Sequence, residues 1–215
     1  MKHYMTVHHI HGFSIREIVL LLYTENTFIV QEALLILFIV SVAYNTFPLA
    51  LGLNRDHRNP HLTNVLLAIV FGLIQGVMYH LGALLGETFM HLFVIRYKWV
   101  VFGVLTAVSI RMLMEAGRIR RGERLFSFDN YVKFLMMAVA AGINTFIIGM
   151  TAEHFSPFDG QMPVVLVAAG FAWSIAGISM NISRTNILLS SLLQVLSAVV
   201  IFSVALIYLI TNQWF

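Results

Sequence analysis

Long apolar stretches separated by short polar segments make up most of this chain. Each stretch has about 18 residues or more, the length that one helix needs to cross a hydrocarbon layer about 30 Å thick. The pattern predicts six transmembrane helices, at residues 30–53, 62–86, 92–113, 132–153, 163–181 and 186–210. Because these spans leave no room for a separate soluble domain, the predicted fold class is all-α, in the form of a polytopic membrane protein.

Residues 1–29 precede the first predicted span and are interpreted as an N-terminal extension. Their apolar run at 18–23 is too short to cross a membrane, so a short interfacial helix is predicted there. The clustered histidines of the extension could bind a divalent metal, but a mobile polar tail is the favoured interpretation because no carboxylate completes the cluster. These histidines are His3, His8, His9 and His11.

The composition agrees with a membrane location, since 59% of the residues are hydrophobic and 11% are charged. Such a chain cannot present the charged surface of a soluble protein. Cysteine is absent, which excludes disulfides and thiolate metal ligands. No span places a nucleophile and a base at helical spacing, and neither an HExxH sequence nor a nucleotide-binding glycine loop occurs, so an enzyme is not expected.

The net charge of +3 would suggest a nucleic-acid partner in a soluble protein, but here the basic residues lie in loops beside the spans. Such charge indicates on which side of the membrane a loop lies, so no nucleic-acid partner is expected. The first, third and fifth loops carry more Lys and Arg than the N-terminus and the second loop, so these odd-numbered loops are predicted to lie inside. Both termini are then predicted to lie outside. The residues on the two sides are Arg55, Arg58, Arg118, Arg120, Arg121, Arg124, Lys133 and Arg184 against Lys2, Arg16, Arg96 and Lys98.

Span one contains polar residues inside an apolar run, at AYNTFPLALGL, residues 43–53. Polar groups at that depth are expensive and are usually functional. Pro48 has no N–H to donate, so the carbonyl of Tyr44 is predicted to lose its intrahelical partner and the helix to kink there. Transporters use such broken helices to present backbone oxygens to a cation. A packing kink that neighbouring helices satisfy is the alternative.

The triplet Asn-Thr-Phe of span one, at 45–47, returns in span four at 144–146. An offset of 99 residues aligns the two triplets and brings span two over span five, both rich in glycine. With three spans in each half, the second half must enter the membrane in the opposite orientation. Asn45 and Asn144 are then predicted to approach each other near the bilayer centre.

This repeat divides the chain into two inverted three-helix repeats, at residues 30–113 and 132–215, with a basic loop at 114–131 between them. Span two adds Gln75 near its centre, which makes it a candidate for the same site. The glycines of span two occur in pairs four residues apart, a spacing that lets helices approach closely. They are Gly72, Gly76, Gly82 and Gly86.

Two further features carry chemistry in the remaining spans. Arg111 and Glu115, at the end of span three, are four residues apart and can pair on one helix face. At the membrane edge, such a pair is predicted to anchor the helix or to close a gate. Pro48, which is predicted to break span one, is a candidate for the same gating or anchoring role. In span six, Gln194 is the polar residue most worth testing for function.

Four segments of the chain resemble the manganese-efflux pump (MntP-like) family, over about residues 33–210. They are SVAYNTFPLALG, FGLIQGVMYHLGALLG, WVVFGVLTAVSIRMLMEAGR and AVAAGINTFIIGM. The resemblance implies a multi-pass exporter of divalent manganese in the bacterial inner membrane, with functional acids on spans one, two and four. Manganese would be the transported substrate, and no cofactor is implied.

The chain resembles a divergent member of that family, because amides stand where the resemblance implies acids. Asn45, Gln75 and Asn144 each keep an acceptor oxygen but carry no charge. Neutral amides compensate poorly for the water that a divalent ion must lose. These three residues are the predicted metal ligands, and Thr46, Thr145 and Tyr44 are predicted to complete the substrate site.

The leading hypothesis is therefore a transporter that moves a divalent metal or another small cation outward, with the lipid bilayer and that cation as partners. One alternative is a degenerate relative that does not transport and acts as a membrane scaffold or regulator. Another is a channel or carrier for a neutral or monovalent solute, for which a site lined by amides is adequate. The oligomeric state is left open.

Overall fold

The computed structural model describes residues 33–53, 61–90, 97–123, 131–151, 160–180 and 183–211, and within these ranges every regular element is a helix. The helices are α1 Ala33–Ala43, α2 Thr46–Leu53, α3 His61–Met90, α4 Tyr97–Arg120, α5 Tyr131–Gly149, α6 Met162–Ser179 and α7 Arg184–Thr211. The predicted interfacial helix and the histidine cluster lie outside the described residues.

Five of these helices, α3 to α7, are long and apolar enough to cross a membrane. The pair α1 and α2, bent by 41°, forms a sixth span when it is counted as one. Large apolar side chains such as Leu73, Leu84 and Leu192 are exposed on the outside of the helices. In a protein surrounded by lipid, such side chains face acyl tails. The chain is thus an all-helical, multi-pass membrane protein.

Helix α4 continues to Arg120, beyond the end of span three predicted at residue 113. Residues 114–120, which the sequence pattern assigned to the basic loop, are helical. The predicted span ends where the apolar residues give way to charged ones. Arg and Glu are good helix formers, so the helix continues through them. Gly122, with a φ of 75°, then ends the helix by donating its N–H to the carbonyl of Ile119 at 2.9 Å.

Helix α3 packs against two helices, with α6 on one side and α5 on another, while α2 packs on α6 and α4 packs on α7. Its glycines make these contacts close. A Cβ added at Gly72 would lie 2.6 Å from the carbonyl oxygen of Val167 on α6. A Cβ at Gly82 would collide with the carbonyl oxygen of Phe146 on α5. The predicted close approach through glycine is confirmed.

The contact between α4 and α7 contains two matching hydrogen bonds. Ser109 Oγ on α4 donates to the carbonyl of Ala198 on α7 at 2.8 Å. In return, Ser191 Oγ on α7 donates to the carbonyl of Ala116 on α4 at 2.9 Å. Because the higher-numbered residue of one helix meets the lower-numbered residue of the other, the two helices run antiparallel. Buried apolar residues, among them Met112, fill the rest of this contact.

Candidate functional site

The break between α1 and α2 lies at Tyr44 and Asn45, where the sequence predicts a kink. Pro48 is buried in the first turn of α2. The carbonyl of Tyr44 has lost its partner four residues later, as predicted, and instead accepts the N–H of Phe47 at 2.9 Å. A tighter turn, with a bond over three residues rather than four, therefore replaces the bond that proline removes.

Side chains at the break bond the carbonyl oxygens at the end of α1. Asn45 Nδ2 donates to the carbonyl of Val42 at 3.2 Å, and Thr46 Oγ1 donates to that of Ala43 at 3.0 Å. All three carbonyls from Val42 to Tyr44 thus have a donor in this conformation. For a cation to use one of these oxygens, a hydrogen bond would first have to open.

An aromatic cluster packs against the break. The rings of Tyr44 and Phe47 stack with centroids 5.3 Å apart, and Trp173 of α6 meets the Tyr44 ring edge-on at 5.0 Å. The hydroxyl of Tyr44 donates to the carbonyl of Ser190 on α7 at 3.0 Å. The indole N–H of Trp173 donates to the carbonyl of Val40 at 3.1 Å. The cluster holds α1, α6 and α7 in place around the turn.

Asn45 has its long-range partner on α7. Gln194 Nε2 donates to Asn45 Oδ1 at 2.9 Å, and each residue is 1% exposed. The other amide atom of Gln194, Oε1, is buried without a hydrogen-bond partner. Gln194 was noted in the sequence as a polar residue in an apolar span, but no sequence signal paired it with Asn45. The tertiary structure adds it to the site.

Gln75 and Thr145 form the second polar contact of the site. Thr145 Oγ1 donates to Gln75 Oε1, and both residues are fully buried. Gln75 packs on Gly170 of α6, where an added Cβ would lie 3.0 Å from Gln75 Cγ. The carbonyl oxygen of Gly170 is also 3.3 Å from Thr46 Oγ1. Gly170 therefore lies between the span-one break and the Gln75 contact.

Asn144 precedes Thr145 on α5 and is 1% exposed. Its side-chain oxygen Oδ1 has no hydrogen-bond partner in the described structure. Helices α2 and α5 touch each other, but no hydrogen bond joins Asn45 to Asn144 among the described residues. The structure thus links Asn45 to Gln194 and Gln75 to Thr145, with Asn144 beside the second pair.

The site has neutral hydrogen-bonding groups with unused capacity. Its buried atoms without partners are one donor, Gln75 Nε2, and two acceptors, Asn144 Oδ1 and Gln194 Oε1. A buried polar atom left in this way costs about 1–3 kcal/mol, which a bound ligand could recover. Among the described residues, no group of three or more His, Asp or Glu is placed to hold a metal ion. The amides can offer oxygen lone pairs but no charge.

The predicted pair on α4 forms, with Arg111 Nε 3.4 Å from Glu115 Oε1. Both residues lie between Ser109 and Ala116, which bond α7. Glu115 is 5% exposed and belongs to the buried side of α4. The placement of the pair at the membrane edge stays a prediction. Whether the pair anchors α4 or closes a gate stays a prediction.

A family model described as "Putative manganese efflux pump" matches residues 60–209 of the chain. The match begins after the α1–α2 break and includes α3 to α6 and nearly all of α7. It covers well over half of the chain. No solved structure matches.

Several curated proteins are similar to parts of the chain. It is 28% identical over 109 residues to the "Putative manganese efflux pump MntP" of Methanospirillum hungatei JF-1, covering 50% of this chain and 57% of that protein. It is 28% identical over 99 residues to the protein of the same name from Bacteroides thetaiotaomicron, covering 46% and 50%. For that of Rippkaea orientalis, the identity is 33% over 85 residues, covering 39% and 45%. The chain spans about half the length of the curated relatives it matches.

Proposed function

The chain belongs to the "Putative manganese efflux pump" family, and we therefore propose that it exports manganese, or another small cation, through a site in the middle of the membrane. As a multi-pass membrane protein of this family it is a transporter, with the metal as its cargo and no resident cofactor. The observation that carries the proposal is the pair of buried contacts on either side of Gly170. They bring polar groups of four separate spans together in the buried interior of the protein.

Corresponding threonine contacts support an inverted repeat. Thr46, in the first Asn-Thr-Phe triplet, reaches α6 at Gly170. Thr145, in the second triplet, reaches α3 at Gln75. At the level of helices, α2 packs on α6 as α5 packs on α3. Each half therefore places its Asn-Thr-Phe span on the second span of the other half, as two units related by an axis in the membrane plane would do.

Close contacts at two glycines support the same inverted repeat and indicate how the second spans of the two halves align. A Cβ at Gly82 would collide with the carbonyl oxygen of Phe146, and one at Gly177 would lie 2.7 Å from that of Phe47. The two phenylalanines are the third residues of the two triplets. Matching Gly82 to Gly177 also matches Gln75 to Gly170. The second spans thus align at a smaller offset than the triplets, because the first half has four more residues between these points.

The reciprocal bonds between α4 and α7 extend the relation to the third spans. Ser109 bonds Ala198 as Ser191 bonds Ala116, so exchanging the two helices reproduces the contact. All three pairs of counterparts then support two inverted three-helix repeats. In such an arrangement, the elements nearest the axis lie near the bilayer midplane, and these include the residues around Gly170.

In this proposal, Asn45, Gln75 and Asn144 supply oxygen atoms to the metal ion, as do carbonyls at the break once their hydrogen bonds open. Thr46, Thr145 and Tyr44 complete the lining, and Pro48 keeps the helix broken. Neutral oxygens hold a divalent ion weakly, because it gives up hydration without gaining a countercharge. Weak binding suits an exporter that works when internal metal is abundant.

Expression in a bacterial strain that lacks its own manganese exporter tests this function. The native chain is expected to raise growth at toxic manganese and to lower cell manganese, and Asn45→Ala and Asn144→Ala are expected to remove most of the effect. Ser179→Ala is the control, because this exposed hydroxyl bonds only the carbonyl of Ile175 in its own helix. If the native chain reaches the membrane but changes neither tolerance nor metal content, manganese export is excluded.

A non-transporting relative is the second candidate, and the bonding of Asn45 favours it. Both polar atoms of this side chain have partners, so Asn45 can be explained as part of a packed kink. A scaffold or regulator would need Asn45 only for this packing, without a bound ion. The carboxylate variants described in the Discussion separate the two candidates.

We also propose that both termini lie outside the bacterial inner membrane. Arg118 and Arg120 end α4, and Arg184 begins α7, so that odd-numbered loops on one side collect positive charge. Just after the end of α4, Arg121 donates to Glu123, and this hydrogen bond lowers the pKa of the Glu123 carboxyl. An alkaline phosphatase fused to the C-terminus is expected to be active, whereas a fluorescent protein at that position should be dark. The reverse result would place the C-terminus inside.

A further inference from the structure

Helix α4, which packs on α7, carries a buried carboxylate that the proposed site does not yet use. Of the carboxylates in the described residues, Glu87 and Glu123 are exposed, whereas Glu115 is 5% exposed. Glu115 lies beside Ala116, whose carbonyl accepts the Ser191 hydroxyl at 2.9 Å. It is therefore inside the packed core of the protein, where a charge needs a specific partner.

Polar side chains of α7 connect this carboxylate to the span-one break. Gln194 lies about one turn from Ser191 on the buried side of α7. From there, Gln194 reaches Asn45 at 2.9 Å, while Ser191 reaches the backbone next to Glu115. The same stretch of α7 thus contacts both the neutral amides and the region of the carboxylate.

The repeat places Asn144 on the same side of the site, an argument that rests on the proposed function. Asn45 meets Gln194 of α7, and exchanging α7 for α4 matches Gln194 to Met112. The counterpart of Asn45 is Asn144 on α5, a helix that touches α4. Asn144 would then face α4 about one turn from Glu115, and its buried oxygen Oδ1 has no partner.

Arg111 supplies the positive charge that Glu115 needs, but it does so loosely. The distance from Arg111 Nε to Glu115 Oε1 is 3.4 Å, whereas strong charge-assisted bonds measure about 2.7–2.9 Å. The Arg111 side chain is 33% exposed, so it has room to move away. A guanidinium held at this distance on the same helix can serve as a tethered cation while the site is empty.

We propose that Glu115 is the charged ligand of the transport site and that Arg111 is its internal substitute for the transported cation. A divalent ion replaces the guanidinium next to the Glu115 carboxylate and takes oxygens of the buried amides as further ligands. When the ion leaves, Arg111 returns, so the carboxylate is never buried without a positive charge. A single carboxylate thus supplies the charge that Asn45, Gln75 and Asn144 lack.

Manganese binding and transport by the purified full chain, in nanodiscs and in liposomes, test this assignment with Mn²⁺ alone as the probe. For Glu115→Gln, we expect binding to weaken by about tenfold or more and transport to be lost. Glu87→Gln, which neutralises an exposed carboxylate on α3, should behave as the native chain does. For Arg111→Gln, the ion should bind more tightly and leave more slowly, so that both KM and kcat fall.

The double variant Arg111→Gln with Glu115→Gln separates this role from a structural ion pair. A purely structural pair predicts that removing both charges restores the transport lost in Glu115→Gln. Our assignment predicts a folded protein that still binds manganese weakly. If the native chain transports and Glu115→Gln transports equally well, the assignment fails while the proposed function stands. If the native chain neither binds nor transports manganese, both fail.

Discussion

Replacing Asn45 and Asn144 together by Asp is expected to tighten manganese binding by about a hundredfold, or about 2.8 kcal/mol. The substitution keeps the shape of each side chain and one acceptor oxygen, but adds a full negative charge. Both positions are 1% exposed, and charges attract strongly where water is scarce. The measurement is the Kd for Mn²⁺ together with export from liposomes by the native and substituted chains.

The two single substitutions should differ. Asn45→Asp removes the amide that donates to Val42 at 3.2 Å, so it also disturbs the helix break. Asn144→Asp places its charge where the native oxygen has no donor, so it should destabilise the metal-free protein and gain the most when Mn²⁺ binds. Asn186→Asp, in the first turn of α7 and about two turns before Gln194, controls for added charge alone.

The outcome also decides between the two candidate functions. Export by the native chain, strengthened in the double variant, supports a transporter with a weak neutral site. Export by the double variant alone would identify the native chain as a relative that has lost transport. Unchanged affinity in a folded double variant would remove both asparagines from the metal site.

Substituting Gly82 by Ala is expected to destabilise the folded chain by about 3 kcal/mol or more, the upper range for an overpacked core. The added methyl group would collide with the carbonyl oxygen of Phe146. Because that oxygen belongs to helix backbone, it cannot rotate away, and α3 and α5 would have to separate. The measurement is unfolding of the purified protein in detergent, together with the amount of protein in the membrane.

Gly103 provides the matched control for this prediction. It is also helical, but an added Cβ there would meet nothing within 4 Å. Gly103→Ala is therefore expected to be neutral or to stabilise the chain by up to about 1 kcal/mol through helix propensity. Equal stability of the two variants would contradict the close packing of α3 on α5.

Local chemistry made several features predictable. Apolar length predicted the helices, because a membrane span must satisfy its backbone within one segment. Pro48 predicted a break at Tyr44, since the missing N–H affects the carbonyl four residues earlier. Spacing alone predicted that Arg111 and Glu115 would pair, because residues four apart face the same side of a helix.

Other features depended on neighbours that are distant in the chain. The Tyr44 carbonyl accepts a hydrogen bond from the N–H of Phe47. Helix α4 continues to Arg120 because charged residues lower the hydropathy of a segment without ending its helix. The offset of 99 residues aligned the two Asn-Thr-Phe triplets, but packing placed Gln75 opposite Gly170, which is 95 residues later. The two offsets differ because the segment between the triplet and the second span is longer in the first half than in the second.

The amino-acid order was thus sufficient to indicate a multi-pass helical membrane protein of the manganese efflux family, with buried amides in its spans. Packing alone decided that Asn45 bonds Gln194, that Gln75 bonds Thr145, and that Glu115 is buried. The physical reason is range. Helix formation and hydropathy depend on residues within a few turns, whereas the partner of a buried polar side chain depends on which helices meet and in what register.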